Sequence, residues 1–224
     1  MMIVTEMDIR QKIVSCCREL IASGLTQGTS GNISSRFQNR MLISPSAVPY
    51  DELTPEMITT VSLDDPDGAW AGPLAPSSEW RFHQRLLRER PDIEAVVHAH
   101  PPHCTALAIT RREIPACHYM VAAFGGANVR CAGYARYGTG ELSDLVLEAM
   151  HARTACLLAN HGMITTGETL DRALWRAVEL EALAQQYILS LSAGDPVLLS
   201  DAEIAEVIEG FAEYRPTAAD RAEG

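Results

Sequence analysis

The sequence predicts a mixed α/β (α+β) fold, one domain spanning residues 1–224, and three observations lead there. Two short apolar runs, 94–100 and 154–162, have the length and branching of buried strands. Stretches 6–23 and 169–193 repeat apolar residues at helical spacing, and 77–90 reads as a further helix. A chain of 224 residues with 47% hydrophobic content can bury one sizeable core, and no internal repeat or low-complexity segment divides it.

From the N-terminus, Ile9, Ile13, Cys16, Cys17, Leu20 and Ile21 form the apolar stripe of a helix that Gly24 stops. GTSGNISS (28–35) is a Gly/Ser-rich turn feeding a strand, with MLIS (41–44) as its partner. Thr54 followed by Pro55 looks like an N-cap with proline at the first helical position. DDPDG (64–68) is a turn, and GPLAP (72–76) an irregular approach to the helix that opens at Ser77 or Ser78. EAVVHAH (94–100) is a strand ended by Pro101-Pro102, with a helix expected over 103–110. TACLLANHG (154–162) is a second strand closing in a polar turn. The long amphipathic helix 169–193 follows, and Ser200 with Glu203 forms a capping box for a last helix, 201–213, before a tail frayed at 220–224.

Composition excludes some functions. Lys and Arg number 18 against 29 Asp and Glu, a net charge of -11, and no basic run offers a nucleic-acid or anionic-membrane surface. A small anionic substrate is still allowed, because screening acts over roughly 8 Å and a local nest of donors outweighs distant carboxylates. No stretch approaches the roughly 20 apolar residues of a membrane span. The six cysteines lack paired CxxC spacing and read as free, mostly buried thiols of a cytoplasmic protein.

The chemistry concentrates in VVHAHPPHC (96–104). Residues i and i+2 of a strand point to one face about 6.6–7 Å apart, so His98 and His100 can converge on one metal ion. A catalytic zinc wants three protein ligands with a position left open. His103, beyond the proline turn, and His161, at the end of another strand, are equal candidates for the third on spacing alone. Glu79, in the first turn of its expected helix, suits the helix dipole as well as it suits chemistry. Gly28 and Gly31 allow tight turns, while Thr29, Ser30 and Asn32 offer donors of a kind that nest a phosphate. Ser77 and Ser78 offer hydroxyls and backbone N–H groups to the same anion. His83, four residues after Glu79, could orient it but reads more readily as a surface or capping residue; His118 reads as a neighbour of Tyr119, and His151 as solvent-facing.

In order along the chain stand GLTQGTSGNIS, ISPSAVPY, PSSEWRFH, VVHAHPPHC, IPACHYM, YGTGELS and LLANHGMI. This series, over about residues 6–214, resembles the class II aldolase/adducin-like family. The resemblance implies a three-layer fold with a central, mostly antiparallel sheet flanked by helices. It also implies a zinc ion (with Mn2+ or Co2+ as alternatives) held by His98, His100 and His161, with Glu79 as acid/base and displaceable fourth ligand. Gly28, Thr29, Asn32, Ser46, Ala47, Ser77 and Ser78 would surround the substrate phosphate. Tyr119 would reach the active site across a subunit boundary, and Tyr214 would close over it. Sites would lie at the interfaces of a homotetramer.

The reaction so implied is retro-aldol cleavage of a ketose 1-phosphate to dihydroxyacetone phosphate and a small aldehyde. The inventory suits it: a Lewis acid stabilises the enediolate without a Schiff-base lysine, and Lys12 is the only lysine in the chain. Two departures stand out. Ala47 replaces a glycine that relatives often carry, and Tyr137 a phenylalanine, which leaves the aldehyde open among lactaldehyde, glycolaldehyde, acetaldehyde and a methylthio-acetaldehyde. Sugar-phosphate 4-epimerases, dehydratases and a non-catalytic adducin-like module share the scaffold, but the epimerases generally show aspartate at the position of Glu79, and a dead scaffold is expected to lose its metal ligands.

Overall fold

Residues 4–213 are described by the computed structural model. The first helix, α1 (Glu6–Ala22), opens on a capping box in which Asp8 N donates to Thr5 Oγ1 and Thr5 N donates to Asp8 Oδ2 at 2.8 Å. Its buried stripe is Ile13, Val14, Cys16, Cys17 and Leu20. Strands β1 (Asn32–Phe37), β2 (Arg40–Ile43), β3 (Thr59–Ser62) and β4 (Trp70–Ala71) then form a meander. Helix α2 (Trp80–Glu89) leads to β5 (Ala95–Ala99), and α3 (Pro102–Ile109) follows it. Next come β6 (Cys131–Ala132), α4 (Gly140–Ala149), β7 (Ala155–Leu158) and β8 (Gly162–Gly167), then α5 (Leu170–Ala193) and α6 (Asp201–Glu213).

The eight strands make one sheet in the order β4-β3-β2-β1-β5-β8-β7-β6, antiparallel except for the short β6–β7 pair. Alternation along each strand splits the core into two layers. On β5, Ala95, Val97 and Ala99 pack with the α1, α3 and α5 side. Val96 faces Phe82 and Leu86 of α2 and Val146 of α4 on the other side. The expected three-layer arrangement with a mostly antiparallel sheet is what forms. His98, two residues from Val96, lies on the α2 face and is 0% exposed.

Several boundaries differ from the sequence reading. Thr54-Pro55 starts only a single 3-10 turn, Pro55–Met57, and the Thr54 side chain makes no cap bond. The helix expected from Ser77 or Ser78 begins at Trp80, with Glu79 at the N-cap and outside the first turn. The backbone ahead of it is already committed: Ser46 N donates to Ala75 O, Ser77 N to Ser44 O, and Pro45 bridges Pro76. That extended pairing holds Ser77 out of the helix. Pro102 is the first residue of α3, so the second proline starts a helix as well as ending a strand. Strands β3, β4, β6 and β8 and helix α4 are elements that the sequence reading does not contain. The capping box at Ser200 is present: Glu203 N donates to Ser200 Oγ, and Ser200 N to Glu203 Oε2 at 2.7 Å.

Gly31 shows how tightly the loop before β1 sits on β5. Its φ is +86°, and a Cβ there would lie 2.9 Å from the carbonyl oxygen of His98. Gly31→Ala is therefore expected to destabilise the fold by about 1–3 kcal/mol, measured as a lower urea midpoint at unchanged slope.

Candidate metal centre and active-site cleft

Antiparallel pairing sets Asn32 of β1 directly opposite His98 of β5, and His98 opposite Ile164 of β8. His98 Nδ1 donates to the Met163 carbonyl at 2.9 Å, which leaves Nε2 with its lone pair aimed into the site. His100, beyond the last paired residue of β5, places its Nε2 2.9 Å from that of His98. His161 arrives in the turn between β7 and β8. Asn160 turns the chain there at φ 54°, a left-handed conformation that asparagine tolerates better than most residues. Gly162 completes the approach: a Cβ would come within 2.5 Å of both Ala99 O and the His100 ring.

Glu79 enters from the head of α2, 6% exposed. Its Oε2 accepts from Asn32 Nδ2 at 3.1 Å and lies 3.1 Å from His98 Nε2. Its Oε1 is 3.3 Å from His161 Nε2, yet without hydrogen-bond geometry, so this oxygen is buried and unpartnered among the described residues. Ligand atoms of Glu79, His98, His100 and His161 all lie within 4.8 Å of one another.

The protonation states suit a cation. Burial, with the fields of His98 and His161, pushes His100 down to about 3. Burial and then His98 push His161 down to about 4. Both rings are neutral and present free lone pairs at neutral pH. Burial alone would raise Glu79, but the neighbouring His98 and His161 rings and the Asn32 hydrogen bond hold its carboxyl well below the usual carboxylate range. Two ring nitrogens with lone pairs, at hydrogen-bond distance from each other and beside an orphaned carboxylate oxygen, are the environment a divalent cation completes. An N3O set of this kind fits zinc.

His103 is not in this group. Its Nδ1 lies 2.7 Å from Glu181 Oε1 on α5, and Glu181 also accepts from the His103 and Cys104 backbone N–H groups at 3.0 and 2.9 Å. It belongs to the start of α3, and the tie left by spacing falls to His161. The surface or capping reading of His83 is corrected outright: His83 is 0% exposed, bonded to Asn32 and Ser34 and stacked on Phe82. Burial drives its imidazole down to about 3. Its spacing of four residues from Glu79, which stands at the N-cap, is the sequence feature by which it could orient that carboxylate. His118 caps a 3-10 turn, accepting from Met120 N, and His151 is exposed.

The centre lies in a cleft of about 340 Å³ lined by Thr29, Ser30, Asn32, Ser46, Ala47, Ser77 and Ser78, together with Glu79, His100 and His161. Gly28, expected around the phosphate, shapes the turn at φ +61° but does not line the cleft. The backbone N–H groups of Ser77 and Ser78 are not free donors: they reach Ser44 O at 3.1 Å and Ser46 Oγ at 3.0 Å. Ala47 sits at φ 59°, so the alanine occupies a conformation that favours glycine. Tyr134, Tyr137 and Asn160, the first and last unremarked in the sequence, complete the rim. Among the described residues no Lys or Arg lines the cleft. Tyr119 does not line it either; it is 49% exposed, with its ring 6.3 Å from that of Phe211 on α6. Tyr214 lies outside the described residues.

The family model for the class II aldolase and adducin N-terminal domain matches residues 11–188, and the chain belongs to that family. Among curated relatives, the L-fuculose phosphate aldolase of Escherichia coli (strain K12) is 48% identical over 207 residues, covering 92% of this chain and 95% of that one. The 5-methylthioribulose-1-phosphate/5-deoxyribulose-1-phosphate aldolase of Rhodospirillum rubrum is 47% identical over 206 residues, covering 92% of each. A solved L-fuculose 1-phosphate aldolase matches with a TM-score of 0.88 at 37% identity, over 92% of this chain and 96% of that one.

Two outcomes are expected here. If the group holds a divalent metal, His161→Ala should lose most of it and His103→Ala should keep it, as read by metal analysis of the purified variants. His83 titrates near 6.5 when unfolded and near 3 when folded. The unfolded chain thus binds more protons as the pH drops below about 6.5, and stability falls with it. Thermal melts should show Tm declining between about pH 6.5 and 4.5, with a shallower decline in His83→Gln.

Proposed function

We propose that this chain is a zinc-dependent aldehyde-lyase that cleaves a ketose 1-phosphate, L-fuculose 1-phosphate or a related deoxy-ketose 1-phosphate, to dihydroxyacetone phosphate and a small aldehyde. The observation that carries the proposal is the unpartnered Glu79 Oε1, buried beside three converging imidazoles at the base of a hydroxyl-lined cleft. The names of the relatives at 48% and 47% identity support the same reaction class.

His98, His100 and His161 would hold the cation, which supplies Lewis-acid stabilisation of the negative charge that cleavage leaves on the C2–C3 enediolate. The hydroxyls of Thr29, Ser46, Ser77 and Ser78 would bind the phosphate, with Asn32 at the inner end of the cleft. As C3–C4 breaks, its electron pair goes to the enediolate, and the C4 hydroxyl gives its proton to the Glu79 carboxylate as the aldehyde forms. Glu79 delivers a proton to C3, and in the condensation direction its carboxylate removes that proton. Tyr119, exposed and away from its own cleft, suits a role in a neighbouring subunit's site, where it would stabilise the aldehyde oxygen. Tyr214 is assigned closure of the site. These roles fit a cytoplasmic homotetramer.

The 47% identity to an aldolase of 5-methylthioribulose and 5-deoxyribulose 1-phosphates supports a second substrate reading. Tyr134 and Tyr137 expose aromatic surface at the rim, where a methyl or methylthio group of the aldehyde half would lie.

The test is a panel of these ketose 1-phosphates with zinc present, coupled to a glycerol-phosphate dehydrogenase, with the aldehyde identified by NMR. Dihydroxyacetone phosphate should appear from at least one; none from any refutes the proposal, and an epimer or dehydrated product replaces it. Glu79→Gln should slow proton exchange at C3 of dihydroxyacetone phosphate by about 10²–10⁴-fold while phosphate still binds; wild-type exchange refutes the acid/base role.

A further inference from the structure

His83 is the one buried histidine of this region that does not face the metal group, and the reaction as derived gives it no task. Its place is set by two elements. It lies in the first turn of α2, four residues after Glu79 at the N-cap, and Asn32 reaches both side chains. On β1, Asn32 and Ser34 point to one face and bracket the imidazole. Ser34 Oγ lies 2.8 Å from Nδ1, and Asn32 Oδ1 makes a short contact with Nε2.

Glu79 sets the direction of these bonds. Its Oε2 faces the Asn32 amide at 3.1 Å, and an ionised carboxylate accepts only, so Asn32 must present Nδ2–H to it. Asn32 Oδ1 then faces His83 and needs a donor, which puts the His83 proton on Nε2. Nδ1 is left as an acceptor, so the Ser34 hydroxyl must donate. The chain reads Ser34 O–H to Nδ1, His83 Nε2–H to Oδ1, Asn32 Nδ2–H to Oε2. All three donors point toward the carboxylate. Reversing it requires an amide flip, a change of tautomer and a hydroxyl rotation together, in a site where Ser34 and His83 are 0% exposed.

We propose that His83 is a positioning residue for Glu79: by fixing the Asn32 amide it holds Oε2 and keeps Oε1 as the oxygen free to meet a cation or the C3 proton. The role rests on the acid/base reading of Glu79. His83 does not touch the reacting atoms and acts through Asn32. Phe82, whose ring stacks on His83 at 4.7 Å and meets His98 edge-on at 5.3 Å, packs against both rings and restricts them.

The variants are His83→Leu, which fills the space without the donor; His83→Gln, whose amide can restore it; and Ser34→Ala as a milder cut. Glu79→Gln and the Glu79→Gln/His83→Leu pair complete the set. His83→Leu should lower kcat and C3 proton exchange about 10-fold or more, with KM and the inhibition constant of inorganic phosphate near wild type. Zinc affinity of the metal-stripped chain, read by chelator competition, should weaken about 10-fold. His83→Gln should recover most of both, Ser34→Ala should lose less in the same direction, and the double variant should exchange no slower than Glu79→Gln alone.

Wild-type exchange and zinc affinity in folded His83→Leu overturns the proposal. So does a His83→Gln as impaired as His83→Leu with Tm lowered alike, which marks a packing role. If His83→Leu does not fold, wild-type behaviour in Ser34→Ala overturns it. Should Glu79→Gln keep wild-type exchange, the acid/base reading falls by itself. The positioning role then stands or falls on zinc affinity in the His83 variants.

Discussion

Glu79 is 6% exposed, and moving a carboxylate that far from water costs several kcal/mol unless other charges and hydrogen bonds replace its hydration. Much of the local architecture is compensation for that burial. Asn32 gives it an amide N–H, His98 and His161 approach from the sheet, and the N-terminus of α2 adds the positive end of its dipole. The compensation stops one atom short, at Oε1. An apolar replacement would pack here without the penalty, so the retained charge points to a task beyond stability.

The sheet makes this arrangement rigid. The β1–β5 register sets Asn32 opposite His98, and the β5–β8 register brings His161 in from the neighbouring turn. A one-residue slip of β5 would send His98 to the face packed against α1, α3 and α5. Gly31 and Gly162 let two backbone segments approach β5 more closely than a Cβ permits. The helix α2 that carries Glu79 is itself held by Phe82 and Leu86 packing on Val96 in the same layer. The geometry of the site and the packing of this half of the core are one structure.

The proposed substrate phosphate would face a chain of net charge -11 and a cleft without a cationic side chain among the described residues. Distant carboxylates matter little across a screening length of roughly 8 Å. Local hydroxyls and the proposed cation would decide the potential in the cleft. Commitment of the Ser77 and Ser78 N–H groups to the backbone and to Ser46 shifts the burden to the hydroxyls, and Ser46 would have to exchange its bond to Pro76 O for one to the anion.

Features with a short sequence range were legible without a structure. The 3.6-residue stripes of α1 and α5, the Ser200–Glu203 capping box and the shared face of His98 and His100 all follow from local periodicity. The motif series carried the family and the choice of His161, which spacing alone left level with His103. Strands β3, β4 and β8 were missed because a few residues of apolar alternation are indistinguishable from a loop until a partner pairs with them. For His83 a surface or capping role was wrongly favoured over one of orienting Glu79, because a lone histidine in a helix says nothing about burial until Asn32 and Ser34 of another strand close around it. The sequence by itself determined which residue types and local faces were available for a metal and an anion. Only the tertiary structure decided which of them meet, because strand register and the docking of α2 act between residues dozens of positions apart, where no local period reaches.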